Sequence, residues 1–185
     1  MEKNDLFIPV VLGTGRKDRE SEKAAQFVFE EVQRYGVQSE LIDVRTMGIK
    51  ETIPSWVNDA QASKWRGIAG RANGFVFIVP EYNHGYPGEL KILIDRAKDE
   101  YLHKPVVVCG VSAGGFGGVR MVQNLLPIWV ALQMVVVKSS IFFSGIADLF
   151  DDNGAITDDS YSERVVGMMD ELTWFAETLK SAKDS

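Results

Sequence analysis

The segment Gly13-Thr14-Gly15-Arg16-Lys17-Asp18-Arg19-Glu20-Ser21 gathers glycines, two hydroxyls and three cations just ahead of a helical pattern. A helix N-terminus carries unpaired N–H groups and the positive end of the helix dipole, so it attracts an anion. Thr14 and Ser21 can donate to phosphate oxygens, and Arg16 can pair with them bidentately. The same residues also suit a solvated turn with a helix cap, and the loop alone does not choose. The Gly-Lys-Ser/Thr ending of a P-loop is absent, and Asp18 stands where a dinucleotide fingerprint needs its third glycine. A monophosphate ligand fits better than either. Lys17 or Arg19 is placed to reach a second phosphate.

Two more segments carry chemistry-bearing residues. Pro80-Glu81-Tyr82-Asn83-His84-Gly85-Tyr86-Pro87-Gly88 offers a flat aromatic face at Tyr82 and edge hydrogen bonds at Asn83. His84, without an evident partner, reads as a contact residue rather than a general acid. Ser112-Ala113-Gly114-Gly115-Phe116-Gly117-Gly118 has four glycines in seven residues, which lets backbone approach a ligand closely and present N–H donors. It also reads as a plain flexible connection. With two histidines and no cysteine nearby, no transition-metal site is expected.

These loops need elements to hold them. Apolar runs at Leu6 to Leu12, Phe75 to Val79 and Pro105 to Val111 read as buried strands, joined by Gln38 to Val44 and a fifth strand within Val135 to Phe143. Between them, helical spacing runs over Ser21 to Tyr35, Trp56 to Arg71, Leu90 to Tyr101 and Gly118 to Leu132, and a closing helix covers Tyr161 to Ala182. Ser21 is the expected N-cap and Gly36 the stop of the first helix. Pro127 predicts a kink or a register mark in the fourth. Strands alternating with helices predict an α/β fold, a doubly wound five-stranded parallel sheet with helices on both faces. Ligands of such sheets bind outside the carboxyl ends of the strands, here just after Leu12, Val79 and Val111. All three chemistry-bearing segments start there.

The chain of 185 residues is long enough for one domain, spanning residues 1–185. Its net charge of −6 and lack of a basic stripe argue against nucleic acid and against an anionic membrane surface as partners. The single cysteine, Cys109, lies in the apolar run Val106 to Gly110 and reads as inert packing. Met1 to Asp5 carries no signal-peptide pattern and no segment reaches spanning length, so a cytoplasmic location is expected.

Pro80 to Lys91 with Ile94-Asp95 following, Gly13-Thr14-x-Arg16 followed by Ser21, and the glycine-rich third loop together resemble the NADPH-dependent FMN reductase family. That family is a branch of flavodoxin-like proteins that includes quinone, azo and chromate reductases. The resemblance covers most of the chain and implies two cofactors, FMN and NADPH. It places Thr14, Arg16 and Ser21 on the FMN phosphate. Pro80, Glu81, Tyr82 and Asn83 would lie along the isoalloxazine ring, with Ser112, Gly114, Gly115 and Phe116 closing its pyrimidine side. It implies a ping-pong reaction in which hydride passes from nicotinamide C4 to flavin N5 and then to a small acceptor. A homodimer or homotetramer is implied too, with the helix from Leu90 to Tyr101 contributing to the contact. The chain departs from the family at Ile92, where Asn is usual, and at Arg96, often aromatic, positions that concern the helix and the interface. A flavodoxin-like electron carrier that does not oxidise nicotinamide, and a flavin-free interaction module, are the alternatives; fold alone does not choose among them.

Overall fold

The computed structural model describes residues 3–48, 51–57 and 59–183. The strands are β1 (Val10–Leu12), β2 (Leu41–Asp43), β3 (Phe75–Pro80), β4 (Pro105–Val111), β5 (Val135–Val136) and β6 (Phe142–Phe143). The helices are α1 (Ser21–Tyr35), α2 (Ala60–Arg71), α3 (Gly88–Ile94), α4 (Val119–Ala131) and α5 (Ser160–Lys183). All pairings are parallel, in the order β2-β1-β3-β4-β5, and β6 also pairs with β4. The expected fifth strand is therefore one position shared by two short pieces. β5 lies on Pro105 and Val106, and β6 on Gly110 and Val111.

Each central strand is buried on both faces, and alternate residues serve opposite layers. Val10, Leu12, Val76, Ile78, Val107 and Cys109 face a core with α1 and α5. Val11, Phe75, Phe77, Val79, Val106 and Val108 face α2, α3 and α4, where Trp65, Tyr101 and Trp129 fill the second layer. The Cys109 thiol packs 3.7 Å from Met168 Sδ, and burial pushes its pKa up to about 12. It is packing, not a nucleophile.

Several element ends differ from the sequence reading: β1 starts at Val10 rather than Leu6 and β2 at Leu41 rather than Gln38, and two helix ends have a visible cause. The second helix starts at Ala60 rather than Trp56, because the Asp59 carboxylate caps it by accepting from Ala62 N; Asn58, inside the expected span, lies outside the described residues. The third helix stops at Ile94, not Tyr101. The Tyr101 hydroxyl donates to the Ile94 carbonyl and accepts from Trp65 Nε1, so a buried side chain takes the place of the next turn. Pro127 is accommodated inside α4 on an exposed face, where the bond it removes costs least.

Gly110 is where β4 meets the third loop. A Cβ there would lie 2.3 Å from the Gly117 carbonyl oxygen, a backbone atom that cannot step aside. Gly118 adds a φ of +87°, which side-chain-bearing residues rarely adopt. Gly110→Ala is expected to destabilise by about 1–3 kcal/mol. For a domain of this size each kcal/mol lowers Tm by about 2–4 °C, which a thermal melt would read directly.

Candidate functional site

The first loop leaves β1 with Gly13 N donating to the Ile78 carbonyl, so it rides on β3 as well as β1. Arginine side chains hold its carbonyls from behind. Arg19 donates to the Thr14 oxygen, and Arg45 donates to the oxygens of Gly15, at 3.1 Å, and of Arg16. Asp43, the last residue of β2, organises both. Its carboxylate pairs bidentately with Arg19 and also accepts from Arg45 N at 2.9 Å. Burial alone would raise the Asp43 pKa, but the Arg19 hydrogen bond, then the Arg45 N–H, outweigh it and hold the carboxyl below its ordinary range.

Other expected residues take assigned places around this frame. Thr14 is fully buried. Its hydroxyl donates to Glu89 Oε1 at 3.1 Å, lies 3.1 Å from the Tyr82 hydroxyl and accepts from Arg16 N. Thr14 thus braces the loop against α3 and the second loop, and its one hydroxyl hydrogen is spent on Glu89 rather than on a ligand. Glu89 also accepts from Gly15 N at 2.6 Å. Arg16 is exposed, its guanidinium 5.5 Å from the centre of the Tyr82 ring, with no carboxylate partner among the described residues. Arg19 is not available for a second phosphate, because its side chain is 1% exposed and paired with Asp43.

Ser21 is not the N-cap. Glu20 holds that position in an αR conformation and supplies no side-chain cap, so Ser21 is the first residue of α1. Its Oγ is buried without a hydrogen-bond partner. A buried unpartnered hydroxyl costs about 1–3 kcal/mol; Arg96 Nε and Trp129 Nε1 are in the same state, and of the three only Ser21 lines the cleft described below.

The second loop is a two-residue hairpin. Tyr82 and Gly85 exchange both backbone hydrogen bonds at 2.9 Å, and Asn83 and His84 take φ of 49° and 66°. That is a type I′ turn, and the non-glycine strain at its tip is held by Asn124, whose side chain donates to the His84 carbonyl at 2.7 Å. The Glu81 carboxylate turns away to the start of α4, accepting from Arg120 N at 3.2 Å and Met121 N at 3.3 Å. It supplies the cap that Gly118 cannot.

A cleft of about 240 Å³ joins the three loops. Arg16, Ser21, Pro80, Glu81, Tyr82 and Ser112 line it, together with Asp18, Ala113 and Ile146, which sequence reasoning did not single out. Asn83 stands at the hairpin tip, and Gly114, Gly115 and Phe116 are exposed beside the cleft rather than in it. A Cβ on Gly114 or Gly115 would meet nothing within 4 Å, so packing does not demand glycine there. Phe116 is 64% exposed under the Arg120 guanidinium. Arg96, expected at an interface, is buried inside the chain and holds the segment before α2 through the Glu51 carbonyl and Asp59.

A 2-1-3-4-5 parallel sheet, with a helix N-terminus that no side chain caps, an exposed arginine without a carboxylate partner among the described residues and an aromatic hairpin at its carboxyl edge, has the architecture of a flavodoxin-like protein. The family model of the NADPH-dependent FMN reductases matches residues 8–148, and the chain belongs to that family. An NAD(P)H-dependent FMN reductase of Saccharomyces cerevisiae is 28% identical over 150 residues, 71% of this chain and 78% of the relative. A quinone reductase of Pseudomonas putida is 27% identical over 158 residues, 82% of this chain and 84% of the relative. Among solved structures, FerB, a flavoenzyme NAD(P)H:(acceptor) oxidoreductase from Paracoccus denitrificans, superposes with a TM-score of 0.74 at 20% identity, covering 95% of this chain and 98% of that one. The chain is an oxidoreductase of a family that works with FMN and NAD(P)H.

Proposed function

We propose that this chain seats the FMN phosphate on the N-terminus of α1, with Ser21 and Arg16 as its side-chain donors, and reduces a small acceptor at the expense of NADPH. The observation that carries this reading is the buried, unpartnered Ser21 Oγ at the uncapped start of α1. Thr14, with Glu89 and the Asp43–Arg19 pair, keeps that loop in shape. The cleft is smaller than the roughly 300–1,000 Å³ of drug-sized ligand sites, so it suits the phosphate end, with the ring across its open rim. There Pro80, Tyr82 and Asn83 would line one side. Ser112, Gly114, Gly115 and Phe116 would line the other, and Glu81 would contribute backbone while its carboxylate stays on α4.

When bound, FMN supplies the redox chemistry, accepting hydride from the nicotinamide and passing it to the acceptor. The protein orients the partners and lays backbone donors beside developing negative charge. Lys17, without a carboxylate partner among the described residues and not engaged with the FMN phosphate, favours NADPH over NADH. The acceptor class is a flavin, quinone, azo compound or metal oxyanion. Initial rates with NADPH and benzoquinone varied together should give parallel reciprocal plots, as expected when two substrates use one place in turn. Intersecting plots would contradict that shared place.

The same reading includes a homo-oligomer in the cytoplasm. From Met121 to Val137 the chain carries no charged residue, and Pro127, Val130 and Ala131 face outward on α4. Val130 is 68% exposed. An uncharged helix face beside the His84–Asn124 contact suits a second copy of this chain. Light scattering should give a dimer or tetramer, and Val130→Asp should give monomer. A monomeric parent would remove this part of the reading. No helix among the described residues is long and apolar enough to cross a membrane.

A further inference from the structure

All strands run parallel, so the edge opposite the flavin cleft collects the strand starts and the helix C-termini. A hollow of about 240 Å³ opens there, between the end of α2, the start of β4 and the last turns of α5. Arg71, His103, Lys104, Lys180 and Lys183 line it, and among the described residues no carboxylate does. The chain as a whole is acidic, at −6, so this hollow runs against its overall balance.

Arg71 is already paired with Glu40 and lies over the Phe7 ring. No salt bridge to a carboxylate holds the three lysines among the described residues; their hydrogen-bond partners are backbone carbonyls. Lys104 Nζ donates to the Ala69 and Gly70 carbonyls at 2.7 and 2.8 Å, Lys180 to the Asp5 carbonyl at 3.0 Å and Lys183 to the Leu102 carbonyl at 2.7 Å. An ammonium has three hydrogens, so these bonds aim each group and leave at least one donor over. Capping α2 and tying down α5 would account for lysines here. It would not account for bringing Lys104 and Lys183 close enough to repel. Burial first, and the Lys183 charge second, lower the Lys104 amine to about 8, while Glu100 is the acid that acts in the other direction. Two cations held together at a hollow, with their acid outside its lining, leave an electrostatic cost that a bound anion would remove.

We propose that this hollow is a second ligand site, independent of the flavin, that takes a phosphoryl anion through Lys104, Lys180 and Lys183. A water's share of the liquid is about 30 Å³, so the space admits a phosphate or a pyrophosphate and not a whole nucleotide. The anion is either inorganic or the phosphoryl end of an ester whose remainder stays outside.

The test is calorimetric titration of FMN-saturated protein, at near-physiological ionic strength, with inorganic phosphate, inorganic pyrophosphate and glucose 6-phosphate. Saturation with FMN removes the other phosphate site from the experiment. Saturable one-to-one binding is expected, at least tenfold weaker in Lys183→Gln and in Lys180→Gln. Both residues lie in the last turn of the C-terminal helix, where substitution should leave the melting temperature nearly unchanged. The Lys104 amine, followed by NMR, should titrate above its unliganded midpoint when pyrophosphate saturates the site. The order of the three affinities separates an inorganic from an esterified source. No saturable binding in any arm, or binding that both substitutions leave unchanged, would overturn the proposal. So would binding that emerges only when Asp184 and Ser185 are removed, since the chain's own carboxylates would then be the occupant.

Discussion

Asp43→Asn is expected to lower Tm by roughly 6–12 °C and to weaken FMN binding at least tenfold. The substitution leaves the Arg19 guanidinium, 1% exposed, with only the exposed Glu22 carboxylate, 3.4 Å from its Nε, as counter-charge. Removing one partner of a buried pair costs about 3–5 kcal/mol; Asp43 itself is 27% exposed, so the lower end, about 3 kcal/mol, applies. Arg19 would also lose its fixed direction, and with it the grip on the Thr14 carbonyl. Arg45 would lose the acceptor of its N–H and hold the Gly15 and Arg16 carbonyls less firmly. The phosphate loop would then have to be ordered by the ligand, and that ordering subtracts from affinity. Because the damage falls on the loop, riboflavin, which lacks the phosphate, should lose much less. The sign of the pH effect follows from the same pair. Asp43 has a folded pKa below its ordinary 3.8, so its contribution is present above that value and is lost as pH falls through the lower folded one. The Asp43 contribution, read as the difference in FMN affinity between the parent and Asp43→Asn, should be constant from neutrality to about pH 4 and be lost as the pH falls further. Equal losses for FMN and riboflavin in the variant would refute the positioning role.

Arg16→Ala should raise the Kd for FMN by about 10–100-fold, with no change for riboflavin and almost none in Tm. Arg16 is exposed and makes no ion pair among the described residues, so little folding energy depends on its side chain. A charge-assisted hydrogen bond to phosphate contributes about 1.5–3 kcal/mol, which sets the fold-change. The Tyr82 ring, under the Arg16 guanidinium, should show a changed environment in the variant. Equal FMN affinity in parent and variant would remove Arg16 from the phosphate site.

The location of the site was legible because strand ends are legible. Leu12, Val79 and Val111 each close a buried apolar run, and the sheet delivers the loops that follow them to one edge. The cleft accordingly draws six of its twelve lining residues, Arg16, Ser21, Pro80, Glu81, Tyr82 and Ser112, from those the sequence assigns to the ligand. What sequence missed is what no run of apolar residues announces. Asp43 also ends a strand, but its half-buried flank gives β2 only a weak signal, and its partner Arg19 lies 24 residues earlier. A carboxylate closing a strand beside a loop with surplus cations was the available clue. Thr14 and Glu81 lie on the loops the sequence points to, and their side chains serve the scaffold. Which way a hydroxyl or carboxylate turns depends on tertiary neighbours, here Glu89 and the first turn of α4. The third helix was overrun because helical spacing continues past Ile94, while the buried Tyr101 hydroxyl that ends it is a long-range contact. One fifth strand is expected within Val135 to Phe143, a mostly apolar stretch; pairing with β4 only at its two ends makes it two short pieces.

The most direct test of the central claim is an absorbance spectrum of the FMN-saturated, desalted protein before and after anaerobic NADPH. The visible flavin bands should survive desalting and then bleach when NADPH is added. Flavin bands that survive but do not bleach would contradict a reductase and point to an electron carrier, and protein that takes up no FMN even in an equilibrium titration would contradict the site itself.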